Sequence, residues 1–330
     1  MKILVVGGAG YIGSHAVRNL LREGFDVAVV DSLQTGFRAS VPEGVPFYQV
    51  DIRDTAALEE VFEKEQVDGV MHFAANSLVG ESMEKPLKYY SNNVGGAESL
   101  LSAMIKFGVK YIVFSSTAAT YGDVKIMPIT EETPTAPTNT YGETKLAIEK
   151  MLKWTSVAHD LNYVCLRYFN VAGADAEGGI GEAHNPETHL IPIILQVPRN
   201  QREYITIFGD DYDTADGTCV RDYIYITDLI AAHILAMKYL MAGGENNIFN
   251  LGSSTGYSVN EMIEAAREVT GHPIPLVYGE RRAGDPASLI ASSAKAKEIL
   301  GWEPKTTNVK EIISTAWAWH KAHPNGYEKE

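Results

Sequence analysis

The stretch Lys2-Ile3-Leu4-Val5-Val6-Gly7-Gly8-Ala9-Gly10-Tyr11-Ile12-Gly13 decides the architecture, because a short apolar run breaks into glycines and then enters a helical pattern. Glycine allows a tight turn, lets the backbone approach a pyrophosphate and lets the helix pack closely on the strand. The helix N-terminus adds free N–H groups and the positive end of its dipole. Glycine patterns alone are common, and a turn with no ligand is the competing reading. Here the context is strand, turn, helix, and a second apolar run, Asp26–Val30, is followed by Asp31, eighteen residues past Gly13. A carboxylate at that place accepts hydrogen bonds from ribose hydroxyls and repels a 2′-phosphate, which favours NAD over NADP.

Working outward, further apolar runs at Phe47–Val50, Gly69–Phe73, Tyr111–Ser115 and Tyr163–Tyr168 alternate with helical patterns at Tyr11–Glu23, Thr55–Glu65, Pro86–Phe107 and Tyr141–His159. The runs are continuously apolar, so both faces of a parallel sheet are expected to be buried under helices. Within Pro86–Phe107, Leu87, Tyr90, Val94, Ala97 and Leu101 form one apolar stripe. After Gly173 the pattern loosens. Residues 1–173 read as a dinucleotide-binding domain and 174–330 as mostly a substrate-binding lobe, with Asn247–Leu251 a late strand that returns to the sheet.

The 330 residues leave room for two such units, and 45% hydrophobic with 21% charged residues exclude a disordered chain. The formal charge of −14 repels nucleic acid and anionic membrane surfaces, so any anionic ligand has to be met by a local group of arginines or lysines. Cys165 and Cys219 have no CxxC spacing, which argues against a disulfide framework and a zinc site; no metal is expected, and a reducing, cytoplasmic setting fits. No apolar stretch approaches the ~20 residues of a membrane span, and the start does not read as a secretory leader.

The Tyr111–Ser115 run continues into Ser116-Thr117, and Tyr141-Gly142-Glu143-Thr144-Lys145 opens a helix. At i, i+4 the tyrosine and lysine share one helical face. An ammonium beside a phenol favours the phenolate, making Tyr141 a proton acceptor, while Thr117 can hydrogen-bond the same substrate hydroxyl. The YxxxK spacing is frequent in helices by chance; its conjunction with the glycine turn and a strand-end Thr is not. Asp51-Ile52, after the third strand, reads either as an adenine contact or as a helix cap.

These motifs, in the order GGAGYIGSH (7–15), HFAA (72–75), VGES (79–82), YYSNNV (89–94), FSSTAATYGD (114–123), YGETK (141–145), LRYFNVAGA (166–174), IFGDDYDTADGTCVRDYIYITDL (207–229), FNLG (249–252) and RRAGD (281–285), resemble the extended short-chain dehydrogenase/reductase family nearly end to end. The resemblance implies a Rossmann-type, doubly wound α/β fold with a smaller C-terminal lobe. It implies that Gly7, Gly10, Tyr11, Ile12, Asp31, Asp51, Ile52, Phe73, Ala74, Asn92, Tyr141, Lys145 and Tyr168 line NAD. It implies that Thr117, Tyr141 and Asn170 touch a hexose, and that Leu190, Phe208, Arg221, Tyr223, Arg282 and Asp285 hold a nucleotide diphosphate. Two arginines can indeed pair with diphosphate charges and Asp285 can accept ribose hydroxyls, although Arg221-Asp222 or Arg282 alone would read as surface ion pairs.

The activity implied is the interconversion of UDP-galactose and UDP-glucose. Tyr141 takes the 4-hydroxyl proton while the 4-hydrogen passes to NAD, and the hydride returns to the other face of the 4-keto sugar. Three positions depart from a common form of the family: Ser77 for a lysine near the cofactor, His189 for an asparagine beside the uridine diphosphate, and Leu289 for a tyrosine near the sugar 2-substituent. Leu289 suggests room for N-acetylated sugars, or only packs the lobe. A 4,6-dehydratase of the same family would carry Asp-Glu where this chain has Ala118-Ala119. An NAD-sensing regulator on the same fold would have no use for the Tyr–Lys pair. The stripe on Pro86–Phe107 and the helix from Tyr141 suggest a homodimer seam, though a helix packed on its own sheet shows the same periodicity.

Overall fold

The computed structural model describes residues 1–282 and 285–327; Ala283 and Gly284 of the RRAGD segment fall outside it. Among the described residues thirteen strands occur in the order β1 (Lys2–Val6), β2 (Asp26–Asp31), β3 (Phe47–Gln49), β4 (Gly69–His72), β5 (Tyr111–Ser115), β6 (Asn162–Tyr168), β7 (Asn170–Ala172), β8 (Ile205–Phe208), β9 (Val220–Tyr225), β10 (Asn247–Leu251), β11 (Gly256–Ser258), β12 (Leu276–Gly279) and β13 (Ser288–Leu289). Seven of them form one parallel sheet in the order β10-β6-β5-β4-β1-β2-β3.

Continuous apolar strands are explained by burial on both faces. Ile3 and Val5 of β1 enter one core layer while Leu4 and Val6 enter the other, and all four are fully buried. Among the described residues the α-helices are α1 (Tyr11–Arg22), α2 (Thr55–Glu65), α3 (Val79–Glu84), α4 (Pro86–Tyr89), α5 (Gly96–Phe107), α6 (Thr140–His159), α7 (Leu190–Gln196), α8 (Ile226–Met241), α9 (Val259–Thr270), α10 (Ala294–Leu300) and α11 (Val309–Ala322). Helices α1 and α8 pack together over one face of the sheet, and α2, α5 and α6 cover the other.

The single helix expected over Pro86–Phe107 is instead three pieces, α4, a π-helical turn over Tyr90–Gly95, and α5. The wider turn accompanies a buried amide: Asn93 Nδ2 donates to the Asn76 carbonyl (3.0 Å) and to Thr144 Oγ1 (3.0 Å), and its Oδ1 accepts from Asn76 N (2.8 Å). Such π turns gather at functional sites. The apolar stripe is correspondingly split: Ala97 and Leu101 are buried, whereas Leu87 is 81% and Tyr90 41% exposed.

Beyond the main sheet, β9 runs between β11 and β13 and also pairs with β7, while β8 and β12 form a separate parallel pair. This small sheet aligns Asn170 with Tyr223 and Leu289 with Arg221. Strand β10 lies far along the chain yet pairs with β6 at the edge of the large sheet. Its Asn250 also takes the hydroxyl of Tyr121 (2.7 Å) and donates to the Ile129 carbonyl (3.1 Å).

Candidate active site

Strand β1 lies between β4 and β2, so the connections leave it in opposite directions and open a crevice at the carboxyl ends of the strands. Gly7 crosses that crevice at φ +84°, and its N–H donates to the Val30 carbonyl (2.7 Å). A Cβ at Gly13 would strike the carbonyl oxygen of Gly7, so α1 can start this close to the strand only because the position is glycine. Asp31, 9% exposed, closes β2; its Oδ2 accepts from Ala9 N (2.9 Å) and its Oδ1 from Leu33 N (2.8 Å). Burial pushes its pKa up, and the two backbone donors pull it back in part.

All thirteen positions expected to line NAD surround one cavity of about 330 Å³, together with Thr117, Asn170, Ser77 and His189. The lining fits NAD on independent grounds. The glycine cradle leaves room that a side chain would fill, and Asn76 Nδ2 at the cavity wall is buried without a hydrogen-bond partner. The cap of α2 is Asp54, whose side chain accepts from Ala57 N, so Asp51 is not the cap. Asp51 instead meets Arg53 at 2.9 and 2.5 Å, and these hydrogen bonds hold its carboxyl below the usual range.

Thr117 ends the segment after β5, and α6 brings Tyr141 and Lys145 to the same cavity. Asn139 caps that helix by accepting from Gly142 N (2.9 Å), and a Cβ at Gly142 would press on the Ala119 backbone, so the helix start is seated against the Thr117 turn. Lys145, 2% exposed, donates from Nζ to the Ser115 carbonyl (2.7 Å) and stands 5.9 Å from the Tyr141 ring centre. Burial lowers its pKa to about 7, with Glu149 opposing that fall. Burial also raises the Tyr141 hydroxyl above its ordinary value, and Thr117 beside it works in the other direction. Burial thus opposes both the ammonium and the phenolate, because each charge alone is costly in this dry site.

Behind the pair, Glu149 accepts two hydrogen bonds from Arg167 (2.9 and 2.5 Å) and one from Ser116 (2.5 Å), all of it buried. Glu149 follows Lys145 by one helical turn, a sequence signal that could have marked it. Tyr168 bonds Ser115 through its hydroxyl. Asn76 and Gln34 were not marked by the sequence at all, since their contacts join distant segments, and Asn93 was marked only as part of the YYSNNV motif, without a role of its own.

On the lobe side, Arg221 and Asp285 meet at 2.8 Å and Arg282 lies 4.1 Å above the Phe208 ring. Tyr223 is buried on β9, Leu190 opens α7 against the core, and Leu289 is half-buried on β13 beside Arg221; none of these lines the cavity named above. His189, expected beside the uridine diphosphate, borders the cavity and also faces two carboxylates. Its Nδ1 faces Glu182 Oε1 at 2.8 Å and Glu187 Oε1 at 3.3 Å, while His184, missed in the sequence, faces the same two carboxylates. Burial alone would lower both rings, but the carboxylates raise His184 to about 9 and His189 to about 10. Among the described residues no helix is long and apolar enough to cross a membrane.

Residues 3–252 match the NAD dependent epimerase/dehydratase family. The chain is 58% identical over 330 residues to a UDP-glucose 4-epimerase of Halalkalibacterium halodurans, covering 100% of this chain and 98% of that one. It is similar to the crystal structure of UDP-glucose 4-epimerase from Bifidobacterium longum in complex with NAD+ and UDP, with a TM-score of 0.93, 40% identity and coverage of 99% and 100%. It is also similar to the UDP-Glc/GlcNAc 4-epimerase of Campylobacter jejuni, with a TM-score of 0.87, 38% identity and coverage of 97% and 99%.

Proposed function

The chain belongs to the NAD dependent epimerase/dehydratase family, and on that premise we propose that it interconverts UDP-galactose and UDP-glucose. The observation that carries this reading is the convergence of Thr117, Tyr141 and Lys145 on the cavity that also holds the glycine turn and Asp31. When bound, NAD supplies a reversible two-electron acceptor for the sugar carbon that bears the reacting hydroxyl. Tyr141 takes the proton of the sugar 4-hydroxyl and later returns it to the oxygen of the inverted centre. Thr117 holds the same oxygen by a hydrogen bond, and Lys145 supplies the positive charge that makes a phenolate affordable at Tyr141. The buried site keeps water from the 4-keto sugar. Ala118 and Ala119 offer no acid to expel a 6-hydroxyl, which favours epimerisation over dehydration.

Arg221, Arg282 and Asp285, with Phe208, Tyr223 and Leu190, hold the uridine diphosphate in this proposal, and Asn170 contacts the hexose. Firm anchoring at the diphosphate with a loosely held hexose is what turnover of the keto sugar requires. The relative from Campylobacter and the leucine at 289 support acceptance of UDP-N-acetylglucosamine and UDP-N-acetylgalactosamine as well. A homodimer is part of the reading: Leu87 and Ile105 on the Pro86–Phe107 segment and Trp154 and Val157 on α6 are large apolar side chains left exposed. A division near Gly173 and a cytoplasmic location complete it; the pairing of β10 with β6 supports the return of that later segment, and two free buried cysteines agree with a reducing compartment.

The test uses UDP-galactose carrying deuterium at C4, with no NAD added. UDP-glucose that retains the deuterium supports the reading. Loss of the label to solvent, accumulation of a 4-keto-6-deoxy sugar, or no turnover would each overturn it.

A further inference from the structure

The segment between β7 and α7 carries Glu182, His184, Glu187 and His189 in the spacing ExHxxExH. One ligand atom from each residue lies within 4.8 Å of the other three. His184 Nδ1 stands 3.3 Å from Glu182 Oε1 and 3.6 Å from Glu187 Oε2; His189 Nδ1 stands 2.8 Å from Glu182 Oε1 and 3.3 Å from Glu187 Oε1. For an ion bound tetrahedrally at about 2.0–2.1 Å, the distance between two ligand atoms is about 3.3 Å. Glu187 meets the two rings through different oxygens, so with one atom from each residue three of the six edges of such a tetrahedron are already near coordination size.

A second observation points to a ligand. The Glu182 side chain is only 5% exposed, and its Oε1 is buried with no hydrogen bond of acceptable geometry, despite the close approach of both rings. His184 Nδ1 is buried and unpartnered in the same way. Buried polar atoms are nearly always satisfied, so two orphans aimed at one point call for a missing partner. A divalent cation satisfies both at once, and it neutralises two carboxylates while leaving the imidazoles neutral.

The surroundings are those of a held ligand set. Glu187 Oε1 accepts from Thr188 N (2.8 Å) and His189 N (2.9 Å), which fixes that carboxylate in place. The His184 ring stands edge-on to Tyr11, 6.2 Å between centres, and Glu182, His184 and His189 all border the cofactor cavity. We propose that these four side chains form a closed tetrahedral site for a zinc-type divalent transition ion, which pins the segment against the wall of the NAD cavity. Two imidazole nitrogens select such an ion over magnesium or calcium, which prefer all-oxygen sets. With four protein ligands there is no open position for catalysis, so the ion's role is positional. The expectation of no metal rested on cysteine spacing alone, and this set contains no cysteine.

Untagged, NAD-loaded full chain is treated with a chelator and titrated with Co2+ as the probe, followed by its visible spectrum. One Co2+ per chain with the intense bands of tetrahedral coordination, displaced by equimolar Zn2+ and not by excess Mg2+, is the expected result. Glu187→Gln and His189→Gln should each weaken Co2+ binding at least ~10-fold while the chain keeps its bound NAD. Absence of stoichiometric binding, a weak octahedral spectrum, or binding unchanged in both variants overturns the proposal. Two variants guard against one misfolding, and the spectrum of the unaltered chain decides the coordination by itself.

Discussion

Replacing Lys145 by methionine removes one charge from a buried site while keeping most of the side-chain volume, and the structure sets the size of the effect. Nζ lies 5.9 Å from the Tyr141 ring centre. At an effective dielectric near 20, a unit charge at that distance favours a phenolate by about 3 kcal/mol, or about 2 pK units. Lys145 alone releases its proton near pH 7, whereas burial holds Tyr141 above its ordinary value. Losing one proton from this pair near neutrality gives either neutral lysine with phenol or ammonium with phenolate, and the second form is the reactive one. The acid limb of kcat/KM against pH should therefore fall near neutrality in the unaltered chain and move alkaline by about 2 units or more in Lys145→Met. Tyr141→Phe, which deletes only the hydroxyl, should lower turnover by ~10² or more at every pH. The assay is conversion of UDP-galactose by NAD-loaded protein, with bound NAD measured in parallel. An unmoved limb in Lys145→Met, or near-normal turnover in Tyr141→Phe, would refute the reasoning. Stability gives a second reading. Because the folded pKa of Lys145 is depressed, the unfolded chain binds more protons between about pH 7 and about 10.5, so this group makes stability rise with pH across that window. Urea unfolding should show a smaller rise in Lys145→Met than in the unaltered chain.

Gly13→Ala should cost bound NAD and activity together, because the new Cβ strikes the Gly7 carbonyl; a variant purified with full NAD content would contradict the tight-turn argument. Glu149→Leu should destabilise by roughly 3–5 kcal/mol in urea unfolding, since it leaves the Arg167 guanidinium buried without a counter-charge, and a loss under ~1 kcal/mol would mean water reaches that arginine. Leu289→Tyr should reduce turnover of UDP-N-acetylglucosamine far more than that of UDP-glucose; equal losses would assign Leu289 to packing alone.

The parts of the molecule visible in the sequence are those whose cause is local. The Gly7–Gly13 turn needs small residues within one turn of chain, and the strands of the large sheet must be apolar on both faces, so each leaves its mark in consecutive positions. The π turn at Tyr90–Gly95 did not, because the buried Asn93 amide within it bonds to Asn76 and Thr144 on other segments. Asn76 and Gln34 at the cavity wall likewise depend on each other across the crevice. Arg221 meets Asp285 only because β13 docks beside β9. His189 was visible as a residue, but its environment was not. The two carboxylates that face it become neighbours only when the segment folds back on itself.

The position of β10 has a bearing on how the enzyme comes into being. A chain emerging from the N-terminus can assemble the sheet from β3 across to β6, but β6 then presents an open apolar edge until residues 247–251 arrive. The delay reaches the chemistry, since Asn250 also secures Tyr121 and Ile129, on the segment that follows Thr117. A nascent or truncated chain ending at Gly173 would thus own every residue of the glycine turn and the Tyr–Lys pair, yet lack the clasp that steadies the turn beside them. Such a fragment would be sticky before it was active, and competence would appear late in synthesis, when the returning strand seals the edge.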